Sequence, residues 1–268
     1  MQLPSPTWFV GCGNMAGAMI DGWKAAHVDM SKAVAIRPSG IPVPGMRTVT
    51  SVKEAGDAPQ MIVLGFKPQQ LDEISPELAN WVTSKTTVAS LLAGIEAGSL
   101  RRRFPRGTIV RVAPNLPVSI RRGVVALHSD GIEEGLRREL SELFAALGFT
   151  MWTESETALA AIGSVAGAGP AYAARFIAAL ASAGEGLGLP KALAETIARE
   201  TVLGTAWMSA SSGEGMTDIA RRVASRNGTT EAGLAVLDKD GSLDRLVGET
   251  IDAAAARGRS LAEAARLS

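Results

Sequence analysis

The feature that most constrains the fold is a cluster of glycines between an apolar segment and a helical segment near the start of the chain. This glycine turn (Gly11-Cys12-Gly13-Asn14-Met15-Ala16-Gly17) directly follows the apolar stretch from Thr7 to Val10. Gly11 permits a tight turn, Gly13 lets a ligand approach the backbone, and Gly17 allows the helix to pack closely on a sheet. A strand, a glycine turn and a helix in this order predict the first unit of a parallel α/β sheet.

A turn of this kind is suited to the pyrophosphate of a dinucleotide. The helix that follows offers unpaired N–H groups and the positive end of its dipole to the phosphates. We therefore predict cofactor contacts from Gly11, Cys12, Gly13, Asn14 and Met15. An unliganded glycine turn is the alternative, and Cys12 is interpreted as a small residue rather than a redox centre.

The end of the second strand selects between the two nicotinamide cofactors. There the chain reads Ala35-Ile36-Arg37-Pro38-Ser39, without the acidic residue that binds the ribose hydroxyls of NAD. Arg37 and Ser39 suit the 2′-phosphate of NADP through charge-assisted hydrogen bonds. The sequence thus predicts NADP(H) as the preferred cofactor, with NAD(H) possible. A solvated surface arginine is the alternative for Arg37.

Two patterns of apolar residues divide the chain into two domains. The first half alternates strand-length apolar runs with helical periodicity, which is typical of βαβ units. Strands are predicted near residues 7–10, 33–36, 60–64, 87–91, 109–113 and 124–128, with helices between them. Helical periodicity dominates from about Glu154 onward. We predict a Rossmann-type dinucleotide-binding domain over residues 1–154 and an all-helical domain, for substrate binding and dimerisation, over residues 155–268.

Composition argues against several classes of partner. Lys and Arg together number 27, equal to Asp and Glu, so the chain has no net positive field to hold nucleic acid. No apolar run reaches the roughly 20 residues of a membrane span, and no secretory signal pattern begins the sequence. The single cysteine can form neither an internal disulfide nor a thiolate zinc site. We expect a cytoplasmic protein with no metal and with no nucleic-acid or membrane partner.

Five further segments follow the glycine turn in an informative order. They are Gly65 to Gln69 (GFKPQ), Ser90 to Ile95 (SLLAGI), Arg111 to Pro117 (RVAPNLP), Gly167 to Tyr172 (GAGPAY) and Ala224 to Leu234 (ASRNGTTEAGL). Taken in order, they resemble the pyrroline-5-carboxylate reductase family from near the first residue to near the last. The resemblance implies reduction of the cyclic imine 1-pyrroline-5-carboxylate to proline with NAD(P)H, the last step of proline biosynthesis. It also implies a homodimer that can assemble further, up to a decamer.

The resemblance assigns two loops and one asparagine to the cofactor. The implied residues are Phe66, Lys67, Pro68, Leu92, Ala93, Gly94 and Asn115. Asn115 matches the asparagine of the family's M-P-N motif, near the nicotinamide, although Ala113 and Leu116 replace the family's Met and Thr beside it. Lys67 is interpreted as a structural or cofactor-facing cation and not as a catalytic group.

The 225–230 bend (Ser225-Arg226-Asn227-Gly228-Thr229-Thr230) resembles the family's S-P-G-G-T-T loop, which holds the substrate carboxylate. The implied substrate-binding residues of the bend are Ser225, Asn227, Gly228, Thr229 and Thr230. Arg226 and Asn227 replace Pro and Gly of the family pattern. Judged from the residues alone, small residues at a helix start also suit a carboxylate, and an ordinary capped helix start is the alternative.

A cyclic imine can arrive already protonated, so the chemistry requires no strong acid. Thr230 is the candidate catalytic residue, through a hydrogen bond to the ring nitrogen made directly or through a water; a capping hydroxyl is the alternative. Glu214 is a further substrate-binding candidate because its charge would favour a positive nitrogen, and an exposed loop residue is the alternative.

Two other functions are compatible with this organisation. A β-hydroxyacid dehydrogenase shares the two-domain plan, but it needs a basic lysine early in the helical domain. No lysine lies between Lys85 and Lys191. A regulator that binds NADP without turnover is the second alternative, and the altered 225–230 bend favours it.

Overall fold

The computed structural model describes residues 1–267 and divides the chain into two compact units. The sheet unit comprises Met1–Ala168 together with the end of the last helix, from Ala254 onward, and the helical unit comprises Gly169–Ala253. The domain boundary predicted between residues 154 and 155 stays a prediction. The last residue of the predicted helical domain, Ser268, lies outside the described residues.

The sheet unit contains eight strands in the order β3-β2-β1-β4-β5-β6-β7-β8. Their bounds are β1 Thr7–Val10, β2 Ala33–Ile36, β3 Arg47–Val49, β4 Met61–Leu64, β5 Thr87–Ser90, β6 Thr108–Pro114, β7 Gly123–His128 and β8 Gly148–Trp152. Strands β1 to β6 are parallel, β7 is antiparallel to β6, and β8 is parallel to β7. This is the Rossmann-type α/β fold that the sequence predicts.

The central strands are buried on both faces. Every residue of β1, β2, β4 and β5 is buried, as in parallel sheets covered by helices on two sides. Successive side chains point to opposite faces, so Trp8 and Phe9 belong to different core clusters. The short apolar runs are therefore strands because each supplies side chains to two cores at once.

Some elements differ from the sequence-based expectation. The segment between β2 and β4 contains β3 and a 3₁₀ turn, Val52–Glu54, where a helix was expected. Strands β3 and β8 were not predicted because both lie at edges of the sheet and neither forms a fully buried apolar run. Strand β7 reverses direction because only the 3₁₀ turn Leu116–Ile120 separates it from β6, and a parallel crossover needs a dozen or more residues.

The helices of the sheet unit are α1 Asn14–Ala25, α2 Leu71–Ala79, α3 Ala97–Arg103, α4 Glu134–Ala145 and α5 Glu156–Ile162. Two of them begin at a side-chain cap. Glu133 accepts hydrogen bonds from the N–H groups of Gly135 and Leu136 at the start of α4, and Ser155 accepts one from Ala158 at the start of α5. A π-helical turn, Gly163–Gly167, follows α5.

The helical unit begins with α6 Gly169–Gly186, α7 Lys191–Ser212, α8 Met216–Val223 and α9 Thr229–Leu237, and the final helix, α10 Ser242–Leu267, starts within it. Helices α6 and α7 share a small buried cluster made of Ala181, Ala194 and Ala198. Many large apolar side chains are exposed, among them Phe176, Leu187, Leu193, Ile197, Leu203, Trp207, Val236 and Leu246. In the single chain, the helical unit therefore leaves much of its apolar surface in contact with solvent.

None of the described helices is both long enough and apolar enough to cross a membrane.

Candidate functional site

The glycine turn is clamped between the ends of two strands. The N–H of Gly11 donates to the carbonyl of Ile36 at 3.0 Å, and that of Gly65 donates to the carbonyl of Val10 at 2.9 Å. Gly11 has a φ of +76°, and a Cβ there would lie 2.9 Å from the backbone of Gly65 and Phe66. Glycine is required at this position for both its backbone angle and its lack of a side chain.

Helix α1 begins at this turn with unsatisfied donors. Gly13 is the N-cap and provides no side-chain hydrogen bond; the N–H of Gly17 makes the first bond of the helix, to the carbonyl of Gly13 at 2.9 Å. Within the described chain, the N–H groups of Asn14, Met15 and Ala16 have no hydrogen-bond partner. Such a group of N–H donors is the arrangement that binds a phosphate.

Arg37 directly follows β2, and its positive charge influences the pKa of Cys12 in the glycine turn. Burial raises the pKa of the Cys12 thiol to about 11, and the positive charge of Arg37 partly opposes that rise. The guanidinium donates from Nη1 to the carbonyl of Ile41 at 2.9 Å, and Ser39 Oγ accepts from the N–H of Ile41 at 3.4 Å. Arg37 and Ser39 are thus tied to one backbone unit beside the turn, and the Cys12 thiol stays protonated at neutral pH.

The two predicted cofactor loops follow the neighbouring strands β4 and β5. Phe66 is half-buried against the core, Lys67 is exposed, and Pro68 begins a 3₁₀ turn. Leu92 is buried and Ala93 is exposed. Carboxyl ends of parallel strands share one edge of a sheet, so the structure brings these loops to the same edge as the glycine turn.

Gly94 completes the second of these loops. Its φ is +76°, a backbone angle that favours glycine, and it turns the chain back toward the buried Ile95.

Asn115 follows β6 at the same edge and is buried. Its Oδ1 accepts from the N–H of Val124 at 2.8 Å, and its Nδ2 donates to the carbonyl of Ala166 at 3.1 Å. The amide therefore holds the start of β7 and the π-helical turn together. Its contact with the nicotinamide stays a prediction.

The 225–230 bend connects α8 to α9. The N–H of Gly228 donates to the carbonyl of Ser225 at 2.9 Å, and the N–H of Asn227 donates to the Glu231 carboxylate at 2.6 Å. Asn227 has a φ of +57°, which asparagine tolerates better than most residues. A Cβ on Gly228 would overlap Ser225 Oγ. Asn227 thus adopts left-handed geometry at a position where the S-P-G-G-T-T motif has glycine.

Helix α9 begins at this bend with unsatisfied donors. Gly228 is its N-cap and makes no side-chain bond, and the N–H of Ala232 is the first to bond, to the carbonyl of Gly228. The N–H groups of Thr229, Thr230 and Glu231 have no hydrogen-bond partner in the part of the chain that the structure describes. These donors suit an anion.

Glu214 lies just before α8 and is paired within the helical unit. Arg222 donates from Nε and Nη2 to its two carboxylate oxygens at 3.1 and 2.8 Å. Those hydrogen bonds and the charge of Glu214 raise the pKa of Arg222. A role for Glu214 near a substrate nitrogen stays a prediction. Its carboxylate is already paired with the guanidinium of Arg222.

Sequence reasoning missed two acidic residues that shape these elements. Glu231 fixes the bend through Asn227, and its place three residues after Gly228 is the spacing of a capping box, so the signal was available. Glu156 joins α5 to Arg111 and to the start of α3 through contacts distant in sequence, and no local pattern reveals it. No group of three metal-ligating side chains occurs among the described residues.

The sheet order, the glycine turn and the following all-helical unit define the class of Rossmann-type proteins with a second, helical domain. A family model described as pyrroline-5-carboxylate reductase dimerisation matches residues 156–261. The pyrroline-5-carboxylate reductase of Pseudomonas aeruginosa is 32% identical over 264 residues, which cover 95% of this chain and 96% of the relative. That of Synechocystis is 35% identical over 78% of each chain.

Solved structures agree with the sequence relatives. The structure of a pyrroline-5-carboxylate reductase from Coxiella burnetii has a TM-score of 0.86 at 28% identity and covers 97% of this chain and 99% of its own. That of Plasmodium falciparum pyrroline carboxylate reductase with NADP bound has a TM-score of 0.88 at 23% identity and covers 96% and 98%. The chain belongs to the pyrroline-5-carboxylate reductase family.

Proposed function

We propose that this protein reduces 1-pyrroline-5-carboxylate to L-proline with NADPH as the preferred reductant, the last step of proline biosynthesis. The observation that carries the proposal is the 32% identity to a pyrroline-5-carboxylate reductase over 95% of the chain, because it spans both units. At that coverage the match includes the cofactor loops and the 225–230 bend.

The residues of the sheet unit fit a phosphorylated dinucleotide. A side chain at Gly11 would collide with the backbone of Gly65 and Phe66, so glycine keeps the turn tight, and the N–H groups at the start of α1 are available to the pyrophosphate. Arg37, with Ser39, supplies positive charge and a hydroxyl for the 2′-phosphate. We assign the cofactor contacts to Gly11, Cys12, Gly13, Asn14, Met15, Arg37, Ser39, Phe66, Lys67, Pro68, Leu92, Ala93, Gly94 and Asn115.

The 225–230 bend suits the carboxylate of a small cyclic acid. Its free N–H groups belong to the first turn of α9, where the positive end of the helix dipole favours an anion. The Thr230 hydroxyl makes no hydrogen bond to another described residue, which leaves it available to the ring nitrogen, directly or through a water. We assign substrate contacts to Glu214, Ser225, Asn227, Gly228, Thr229 and Thr230.

The residues of the chain serve mainly to orient the reactants. When bound, the reduced nicotinamide supplies the hydride that the imine carbon accepts. The free N–H groups of the bend hold the carboxylate, and Thr230 orients the ring nitrogen that carries the proton. Because a protonated imine is already electrophilic, these residues need not include a strong acid.

Self-association follows from the family of the helical region, and we propose a homodimer that can assemble further, up to a decamer. The exposed apolar side chains of the helical unit support this, since Leu187 is 89% exposed and Val236 is 73% exposed in the single chain. The lone Cys12, which has no disulfide partner, is compatible with a cytoplasmic location, and we propose one.

Oxidation of NADPH, measured at equal enzyme concentration with and without 1-pyrroline-5-carboxylate, tests the activity. Turnover that requires the imine, and that is faster with NADPH than with NADH, supports the proposal. Turnover only on hydroxy acids with NADP⁺ would favour a β-hydroxyacid dehydrogenase. Binding of NADPH without turnover on any substrate would favour a regulator.

A further inference from the structure

Glu156, the first residue of α5, connects two other elements of the sheet unit through one carboxylate. Its Oε1 accepts a hydrogen bond from the N–H of Ala97 at 2.6 Å, and its Oε2 pairs with Nη1 of Arg111. Ala97 is the first residue of α3, and Arg111 lies in β6, in register with Ser90 at the end of β5. Both partners of Glu156 therefore flank the loop that runs from β5 to α3.

That loop contains the residues Leu92 to Gly94, which are assigned above to the cofactor. Leu92 and Ile95 are each 2% exposed, whereas Ala93, between them, is exposed, so the loop has buried ends and an exposed crest. The first end is held by Ser90 Oγ, which accepts from the N–H of Leu92 at 3.3 Å. The position of the second end depends on where α3 begins.

The start of α3 is held from outside its own segment. Its N-cap residue, Glu96, provides no side-chain cap to the helix. The N–H of Ala97 is one of the donors that a helix leaves unsatisfied at its start, and the Glu156 carboxylate satisfies it. The carboxylate thus fixes the second end of the loop.

The ion pair makes this contact costly to lose. The side chains of Arg111 and Glu156 are 14% and 27% exposed, and Arg111 Nε is buried without a hydrogen-bond partner in the described chain. Removing the carboxylate would leave a largely buried cation in β6 and an unsatisfied N–H at the start of α3. Both defects would lie next to the cofactor loop.

We propose that Glu156, together with Arg111, is a positioning residue for cofactor binding, because it holds the loop from Leu92 to Gly94 in the geometry that receives the dinucleotide. The inference rests on the proposed function for the identity of the cofactor. Glu156 acts through the loop and through α3 and takes no part in hydride transfer.

The test is the affinity of the intact protein for NADPH, measured by fluorescence titration in the absence of imine. We expect Glu156→Ala to raise the Kd about tenfold, the effect of losing a hydrogen bond to a charged group. Glu156→Gln keeps an acceptor for Ala97 and should raise it less, by about threefold. The KM for the imine at saturating NADPH should stay within about twofold of wild type in both variants.

Variants of Arg111, the residue that pairs with Glu156, add a rescue test. Arg111→Lys retains the positive charge and should bind NADPH more tightly than Arg111→Met. The double variant Glu156→Gln with Arg111→Met should lose no more affinity than the worse single variant, because the two side chains act as one unit.

Glu133→Gln is the matched control. Glu133 is also a carboxylate that accepts backbone N–H bonds at a helix start, but its helix, α4, follows β7. This variant should lower the melting temperature and leave the NADPH Kd unchanged.

The inference is overturned if Glu156→Ala and Glu156→Gln bind NADPH as tightly as wild type, or if Glu133→Gln weakens NADPH to the same extent. If wild type binds NADPH but does not reduce the imine, the proposed function fails, and the Kd comparison among variants still tests the role of Glu156.

Discussion

The glycine turn and the 225–230 bend have similar backbone features, but different contacts hold them in place. Each enters a helix through a left-handed residue, Gly11 or Asn227, and each uses a glycine N-cap that leaves three N–H groups free. Helices α4 and α5, by contrast, begin with side-chain caps. Both starts therefore offer free N–H groups to an anion, which the capped starts of α4 and α5 do not.

The supports differ in origin. The glycine turn is enclosed by the backbone of two neighbouring strands, whereas the 225–230 bend is held by its own hydrogen bonds and by the carboxylate of Glu231. A site built by the sheet tolerates little change at its contact points. A site built by local hydrogen bonds can accept new residues, which explains how Arg226 and Asn227 fit where the family pattern has Pro and Gly.

The largest expected effect is that of Gly11→Ala. The new Cβ would collide with the backbone of Gly65, and φ is positive, so we expect a loss of about 3 kcal/mol of unfolding free energy. Urea unfolding measures it. Gly17→Ala is the control. A Cβ there meets nothing within 4 Å, so the expectation that Gly17 allows close packing of the helix on the sheet is wrong, and alanine should be stabilising in this helix. Equal stability of wild type and Gly11→Ala would contradict the conclusion that the backbone of the neighbouring strands encloses the glycine turn tightly.

Next in size is the effect of Arg37→Asp on the choice of cofactor. Loss of a charge-assisted bond and addition of a negative charge should weaken NADPH about 50-fold, with little effect on NADH. Titration of both cofactors measures the ratio. An equal loss for both would remove Arg37 from the 2′-phosphate.

Gly228→Ala tests the bend in the same way as Gly11→Ala tests the turn. Overlap with Ser225 Oγ can be relieved by rotation of that side chain, so we expect only about 1 kcal/mol of destabilisation and a rise of about tenfold in the KM for the imine. Gly233→Ala, in the same helix and free of contacts, should leave the KM unchanged. A larger stability loss than that of Gly11→Ala would reverse the ranking of the two supports.

Thr230→Ala separates a substrate contact from a helix cap. We expect kcat/KM for the imine to fall about fivefold, because one hydrogen bond to the ring is lost, while NADPH affinity is retained. Steady-state kinetics with each reactant varied in turn measure both quantities. Unchanged kinetics with a lower melting temperature would assign the hydroxyl to the cap.

The smallest effect is expected for Asn227→Gly. Glycine adopts the left-handed angle without strain but costs more conformational entropy on folding, so the stability change should stay within about 0.5 kcal/mol. The kcat/KM for the imine should change by no more than about twofold. A gain of tenfold or more would show that Asn227 hinders substrate binding.

Much of the sheet unit is predictable because its signals are local. Apolar runs such as Thr7 to Val10 form strands, and parallel strands carry the loops that follow them to one edge, so the glycine turn and the loops at Phe66 and Leu92 were placed correctly relative to the sheet. Strand β8 was missed because it lies at the sheet edge and lacks an apolar run.

The amino-acid sequence by itself determined six of the eight strands, the position of the glycine turn and the family, since these depend on short-range patterns of residue size and polarity. Only the tertiary structure decided that the amide of Asn115 is engaged by Val124 and Ala166 and that Glu156 joins Arg111 to the start of α3. Such contacts join residues far apart in the chain, so they exist only once the sheet has been formed and its core has been packed.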